Sequence, residues 1–269
     1  MITPHRAFLA LVAASLVFLG GCADMNGTPG DSVRQALAPS GKLRVGLYEG
    51  SPSSVIGLID PRRARGVGLD LGREMAERLG VPFAPVVYAR SADVLAAVSA
   101  GDVDVVFTNA TPERSRRIDF SGTFMDVEKG FLVAPDSVLT EMDDMLRPGL
   151  RIGVGAGGSS ANELAASYVA AFIVPVASLA DAVEKLSDGS LDAYASNKAI
   201  LYEMVNHLPR AKVLDGHWGV EHFAIGIPKG RARGRAFVRR YAQEITLDGT
   251  VNQAIERAGL QGALAPSLR

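Results

Sequence analysis

From Lys42 onward, short apolar runs alternate with helical segments closed by glycine, and this alternation constrains the fold more than any other feature. Lys42 to Tyr48 has the spacing of a strand. Leu69 to Leu79 places Leu71, Met75 and Leu79 four residues apart and stops at Gly80, which predicts an amphipathic helix. Val81 to Val87, Ala92 to Ala100 with Gly101, and Val103 to Phe107 follow as strand, helix and strand. The pattern restarts with strands predicted at Gly130–Ala134 and Leu150–Val154. Helices over about Asn162–Ala171 and Ser178–Leu186, a strand at Leu191–Ser196 and a helix at Lys198–His207 come next. Strands at Lys212–Leu214 and His222–Ile227 and helices at Arg231–Leu247 and Val251–Ala258 complete it. Strands and helices of these lengths indicate parallel βαβ units. Two such units in succession point to two α/β lobes facing a shared cleft.

The chain has 269 residues, enough for one large domain or two modest ones. Its formal net charge of -1 argues against nucleic acid, which needs a concentrated basic surface. The basic clusters at Arg62-Arg63-Ala64-Arg65 and from Lys229 to Arg235 with Arg239-Arg240 read as solvated faces beside turns, the alternative being docking to a partner or lipid headgroups.

Residues 1–21 read as a targeting segment: His5 and Arg6 precede an apolar run from Ala7 to Gly20, too short to span a bilayer comfortably. The run ends in Leu19-Gly20-Gly21-Cys22, which resembles the bacterial lipobox. That resemblance implies cleavage after Gly21 and acylation of Cys22, and so a lipid-anchored protein on the periplasmic side of the cell envelope. Cys22 is the single cysteine, so no internal disulfide can form. Residues 22–41, rich in Gly, Pro, Ser and Asn, read as a flexible tether.

The turn after the third predicted strand carries the chemistry. Asn109-Ala110-Thr111-Pro112-Glu113-Arg114 delivers polar donors and a lone arginine to the carboxyl end of that strand, where open α/β sheets bind ligands. An arginine there presents a planar fork that pairs with a carboxylate through two parallel hydrogen bonds. The alternative is that Arg114 only caps a surface turn.

Three blocks, in order, resemble family 3 of the bacterial extracellular solute-binding proteins, the polar amino-acid-binding group of the type II periplasmic fold. They are Gly66-Val67-Gly68-Leu69-Asp70-Leu71; Gly101-Asp102-Val103-Asp104 with Thr111-Pro112-Glu113-Arg114 and Ile118-Asp119-Phe120-Ser121; and Gly189-Ser190-Leu191-Asp192-Ala193-Tyr194. The first block lacks the family's aromatic and first acidic residue. The resemblance implies a two-lobed periplasmic-binding-protein-like α/β fold. Short crossovers near Thr123–Val127 and Trp218–His222 would serve as hinges, dividing the chain into 42–124 and 222–269 for lobe 1 and 125–221 for lobe 2. It implies a monomeric substrate-binding lipoprotein that serves the membrane permease of an ABC-type importer, without cofactor.

The family pattern assigns the ligand carboxylate to Arg114, helped by Asn109 and Thr111. Ser159 and Ser160, in the turn Gly157-Gly158-Ser159-Ser160, would face it from a helix start, where free amides favour an anion. Tyr48, Glu49 and Ser51 stand where the family places groups over the ligand. Arg90 stands near the other wall and, if turned inward, would suit a dianion. Asn197 occupies the position where amino-acid binders carry an Asp for the ligand ammonium. A neutral amide is a poor partner for a desolvated cation, so the expected ligand is a small acid or an amino acid lacking a free ammonium, unless Glu49 supplies the charge.

The rival reading is a periplasmic enzyme on the same fold, similar to the cyclohexadienyl dehydratases, or a ligand-sensing subunit. Catalysis would need a positioned acid, and the dense polar cluster is His217, Trp218, Glu221 and His222. Hinge and surface packing accounts for that cluster more simply. Metal binding by His217 and His222 lacks an evident third ligand.

Overall fold

A computed structural model describes residues 30–57, 62–158 and 160–264. The expected signal segment 1–21, Cys22 and Ser159 lie outside the described residues. The chain begins with α1 (Asp31–Leu37), then β1 (Leu43–Tyr48), α2 (Val67–Leu79), β2 (Phe83–Tyr88), α3 (Ser91–Ala100) and β3 (Val105–Asn109). A 3-10 turn, Arg114–Arg116, leads into β4 (Ile118–Val133). Next come β5 (Arg151–Gly155), α4 (Ser160–Ser167), β6 (Phe172–Val176), α5 (Leu179–Ser187), β7 (Ala193–Asn197) and α6 (Lys198–Val205). β8 (Lys212–Val213), β9 (Gly219–Pro228), α7 (Ala232–Leu247), α8 (Thr250–Ala258) and β10 (Ala263–Leu264) follow.

The strands form one continuous sheet in the order β2-β1-β3-β9-β4-β7-β5-β6, with β8 and β10 on β4. β1 pairs parallel with β2 and β3, and β5 pairs parallel with β6 and β7, as two βαβ units require. The antiparallel pair β4 and β9 joins these units. β9 pairs with β3 at one end, β4 pairs with β7 at the other, and both strands run through the middle. The apolar cores divide accordingly. One holds Leu43, Val45, Leu71, Met75 and Tyr241; others hold Leu132, Leu186 and Leu201, or Phe131, Ile152 and Leu164. The fold is a two-lobed, type II periplasmic-binding arrangement.

The crossovers expected near Thr123–Val127 and Trp218–His222 lie in or beside the long strands β4 and β9, which pair with each other. The pairing of β4 with β9 is irregular between Phe120 and Thr123 and again between Thr123 and Met125. Such irregularity bends a strand without cutting it. The tether is also shorter than expected, since 31–37 is helical and Leu37 is fully buried. A side chain at Gly234 of α7 would begin 2.7 Å from Leu37 Cδ2, so glycine there lets α1 lie close.

Candidate ligand-binding site

Where β3 ends and β9 begins, beside the end of β7 and the start of α4, lies a cleft with a cavity of about 120 Å³. Groups from both lobes line it, including Tyr48, Arg114, Ser160, Ser178, Asn197 and Glu221. The lobes also touch beside it. A side chain at Gly50 would begin 2.8 Å from Leu179 Cδ1, and one at Gly157 would begin 3.2 Å from Ala92 Cβ.

Arg114 is built into this cleft from below. Its Nη1 donates to the Asn109 carbonyl at 2.8 Å and to Thr108 Oγ1 at 3.2 Å. Among the described residues, no acceptor bonds its other guanidinium nitrogens. Burial lowers its pKa against the opposing attraction of Glu221 and Tyr48. A guanidinium fixed at one nitrogen and desolvated keeps donors ready for a carboxylate.

The neighbours expected beside it divide into lining and support. Asn109 lines the cleft, with Oδ1 accepting the His222 N–H at 2.9 Å, so Nδ2 is its available donor. Thr111 does not line the cleft; its hydroxyl accepts the Arg114 N–H at 3.2 Å and shapes the turn that carries the arginine. Ser160 lines the opposite wall with Gly155, Ala156 and Gly158 at the start of α4. Orphan amides at that helix start favour an anion.

The wall from lobe 1 differs from expectation at three positions. Tyr48 lines the cleft, and burial pushes its phenol pKa up. Ser51 is fully buried and does not line the cleft; its hydroxyl is bonded to Ser53 Oγ at 2.8 Å. Ser51 therefore supports the loop after β1 instead of meeting a ligand. Glu49 sits at the exposed rim, where a charge interaction is screened. Arg90 reaches the cleft edge, but Asp93 accepts from its Nε at 2.9 Å and Nη2 at 2.6 Å. It is thus not a second free cation, and the inward-turned Arg90 that would suit a dianion is not found.

Asn197 lines the cleft and uses both ends of its amide. Oδ1 accepts the Ile200 N–H at 3.1 Å, capping α6, and Nδ2 donates to Glu221 Oε2 at 2.9 Å. Glu221 is the lining residue that sequence reasoning assigned to the hinge. Burial raises its pKa, against the lowering influence of the Asn197 bond, Arg114 and Lys129. The cluster of His217, Trp218, Glu221 and His222 is dispersed by β9. Alternation along the strand sends Glu221 and Phe223 to the cleft. His222 pairs instead with Asp126 at 2.7 Å, His217 lies 3.3 Å from Glu128, and Trp218 Nε1 donates to the Gly130 carbonyl. Extending the predicted strand from His222 back to Gly219 would have exposed Glu221 by that same alternation.

The chain is 24% identical to the glutamine-binding protein of Geobacillus stearothermophilus over 242 residues, which cover 82% of this chain and 91% of that one. It is 20% identical over 262 residues to the ABC transporter glutamine-binding protein GlnH of Bacillus subtilis (strain 168), covering 93% and 95%. The crystal structure of a mutant ArgBP from T. maritima superposes with a TM-score of 0.72 at 22% identity, covering 85% of this chain and 99% of that one. Residues 43–260 match the profile of the bacterial extracellular solute-binding proteins, family 3, and the chain belongs to that family.

Proposed function

We propose that this chain is the ligand-capturing component of an ABC-type importer and closes its two lobes on a small amino-acid-like carboxylate. The observation that carries the reading is the desolvated Arg114 guanidinium, held by one nitrogen in the interlobe cleft opposite the start of α4. A preformed cation in a water-poor cleft binds an anion more strongly than a surface cation does. The names of the relatives, two glutamine-binding proteins and ArgBP, support an amino-acid-like ligand. The reading includes hinge motion at the β4 and β9 crossings, between 42–124 with 222–269 and 125–221. It also includes a lipid anchor at Cys22 that holds the protein beside its permease on the periplasmic side of the envelope, as a monomer.

A thermal-shift screen of the full chain with the twenty standard L-amino acids and simple carboxylates tests the binding claim, because a ligand selective for the folded state raises the melting temperature by mass action. At least one carboxylate stabilises the protein, and Arg114→Ala abolishes the shift. Release of the protein from membranes by Cys22→Ser tests the anchor. Incubation with prephenate or arogenate separates binder from enzyme, since turnover contradicts the reading.

A further inference from the structure

We infer that Glu221 is the acceptor for the ligand's ammonium group, so that the cleft takes a free α-amino acid. This deepens the proposed function and rests on it. The inference starts from the charge balance of the cleft. Arg114 supplies one positive charge to the cleft, and Glu221, which lines the same cleft from the start of β9, supplies a negative one. The two charges influence each other through space. Among the described residues, Glu221 has one hydrogen-bond donor, the Asn197 amide, and no ion-pair partner. Lys129, the other cation that influences it, is bonded to Glu163 and stacked 4.4 Å over the Trp218 ring.

A carboxylate partly removed from water and bonded by a neutral amide alone is under-compensated, and an ammonium supplies what it lacks. A ligand carrying only a negative charge would gain from Arg114 and lose to Glu221. A zwitterion satisfies both. The missing acid at position 197 is therefore replaced from β9, which lies one strand beyond β4 in the sheet: Asn197 gives up the charge and instead orients the carboxylate that carries it. The expectation of a ligand without a free ammonium is reversed by this placement.

Calorimetry on the full chain tests the assignment, comparing each standard L-amino acid that binds with the acid of the same skeleton lacking the α-ammonium. The native protein prefers the amino acid by about 30-fold or more, the usual consequence of leaving a buried charge unpaired. Glu221→Gln keeps an oxygen to accept from Asn197 but removes the charge, and it collapses the preference to within about threefold. A purely structural role for Glu221 would leave the ratio intact, and that result overturns the assignment. Equal binding of both acids by the native protein overturns it as well, while sparing the carboxylate-binding reading. Absence of any carboxylate binding overturns both.

Discussion

Asn197 Nδ2 donates to Glu221 Oε2 at 2.9 Å while Asn197 Oδ1 caps helix α6 through the Ile200 N–H. One amide thereby links a helix start in one lobe to a carboxylate on the strand that crosses between lobes. The helix fixes the amide, and the amide fixes the acid. Burial of Glu221, the largest influence on its titration, keeps its pKa above the ordinary carboxylate value.

That direction predicts a pH dependence of binding. A folded-state pKa raised above its unfolded value stabilises the empty protein at low pH, and this contribution is lost as pH rises through the raised value. An incoming ammonium favours ionised Glu221, so affinity for an amino acid rises with pH through the same window and then levels. Arg114, Lys129, Glu163, Asn197 and Tyr48 surround the acid, and their combined field is already part of its raised pKa. Below that window affinity falls by up to about tenfold per pH unit, with uptake of one proton per ligand released. Calorimetry in buffers of different ionisation heat measures it, and Glu221→Gln should flatten the profile.

Arg114→Lys keeps a cation but replaces a planar fork with a point charge. Affinity should drop by about tenfold or more, and Arg114→Ala should lose about 2–5 kcal/mol of binding. Far-ultraviolet circular dichroism should remain native, because the supporting turn is held by the Thr111 hydroxyl and backbone bonds. Unchanged binding in the alanine variant would remove Arg114 from the site.

Legibility in the sequence followed the range of the forces involved. Helices α2 and α3 could be placed because Gly80 and Gly101 stop them in left-handed conformations, at φ of 65° and 81°. The turn carrying Arg114 was legible because its residues are contiguous. β4 was seen only at its final residues: Ser121-Gly122-Thr123 interrupts the apolar pattern, and its partner strand β9 comes about a hundred residues later. β6 escaped because Pro175 and two exposed positions mark an edge strand, where a missing donor is tolerated. α1 was hidden by a tether-like composition, since its burial depends on the distant helix α7. Glu221 was missed for the same reason, as its meaning lies in Arg114 and Asn197, far away along the chain.

Asp104 separates stability from recognition. Its side chain is fully buried and accepts from Arg44 Nε at 2.9 Å, Arg44 Nη2 at 2.8 Å and Arg231 Nη1 at 3.0 Å. Asp104→Ala strands buried parts of two cations and should cost about 3–5 kcal/mol. Chemical denaturation measures the loss. Amino-acid affinity of the folded fraction should stay within about twofold, since Asp104 does not line the cleft.

Gly50 reports on closure. Its φ of 97° strains any side chain, and a Cβ there would press on Leu179 across the interlobe contact. Gly50→Val should hold the lobes apart, weaken binding by about tenfold through faster release, and enlarge the radius of gyration with ligand present. Small-angle scattering on the liganded variant provides the check, and a fully closed, tight-binding variant would contradict it.

The decisive measurement is a crystal structure of the full chain soaked with whichever standard L-amino acid binds it most tightly. The account predicts the α-carboxylate bridged by two Arg114 nitrogens and the ammonium within about 3 Å of a Glu221 oxygen. A ligand seated with its ammonium away from Glu221, or with its carboxylate away from Arg114, would contradict it.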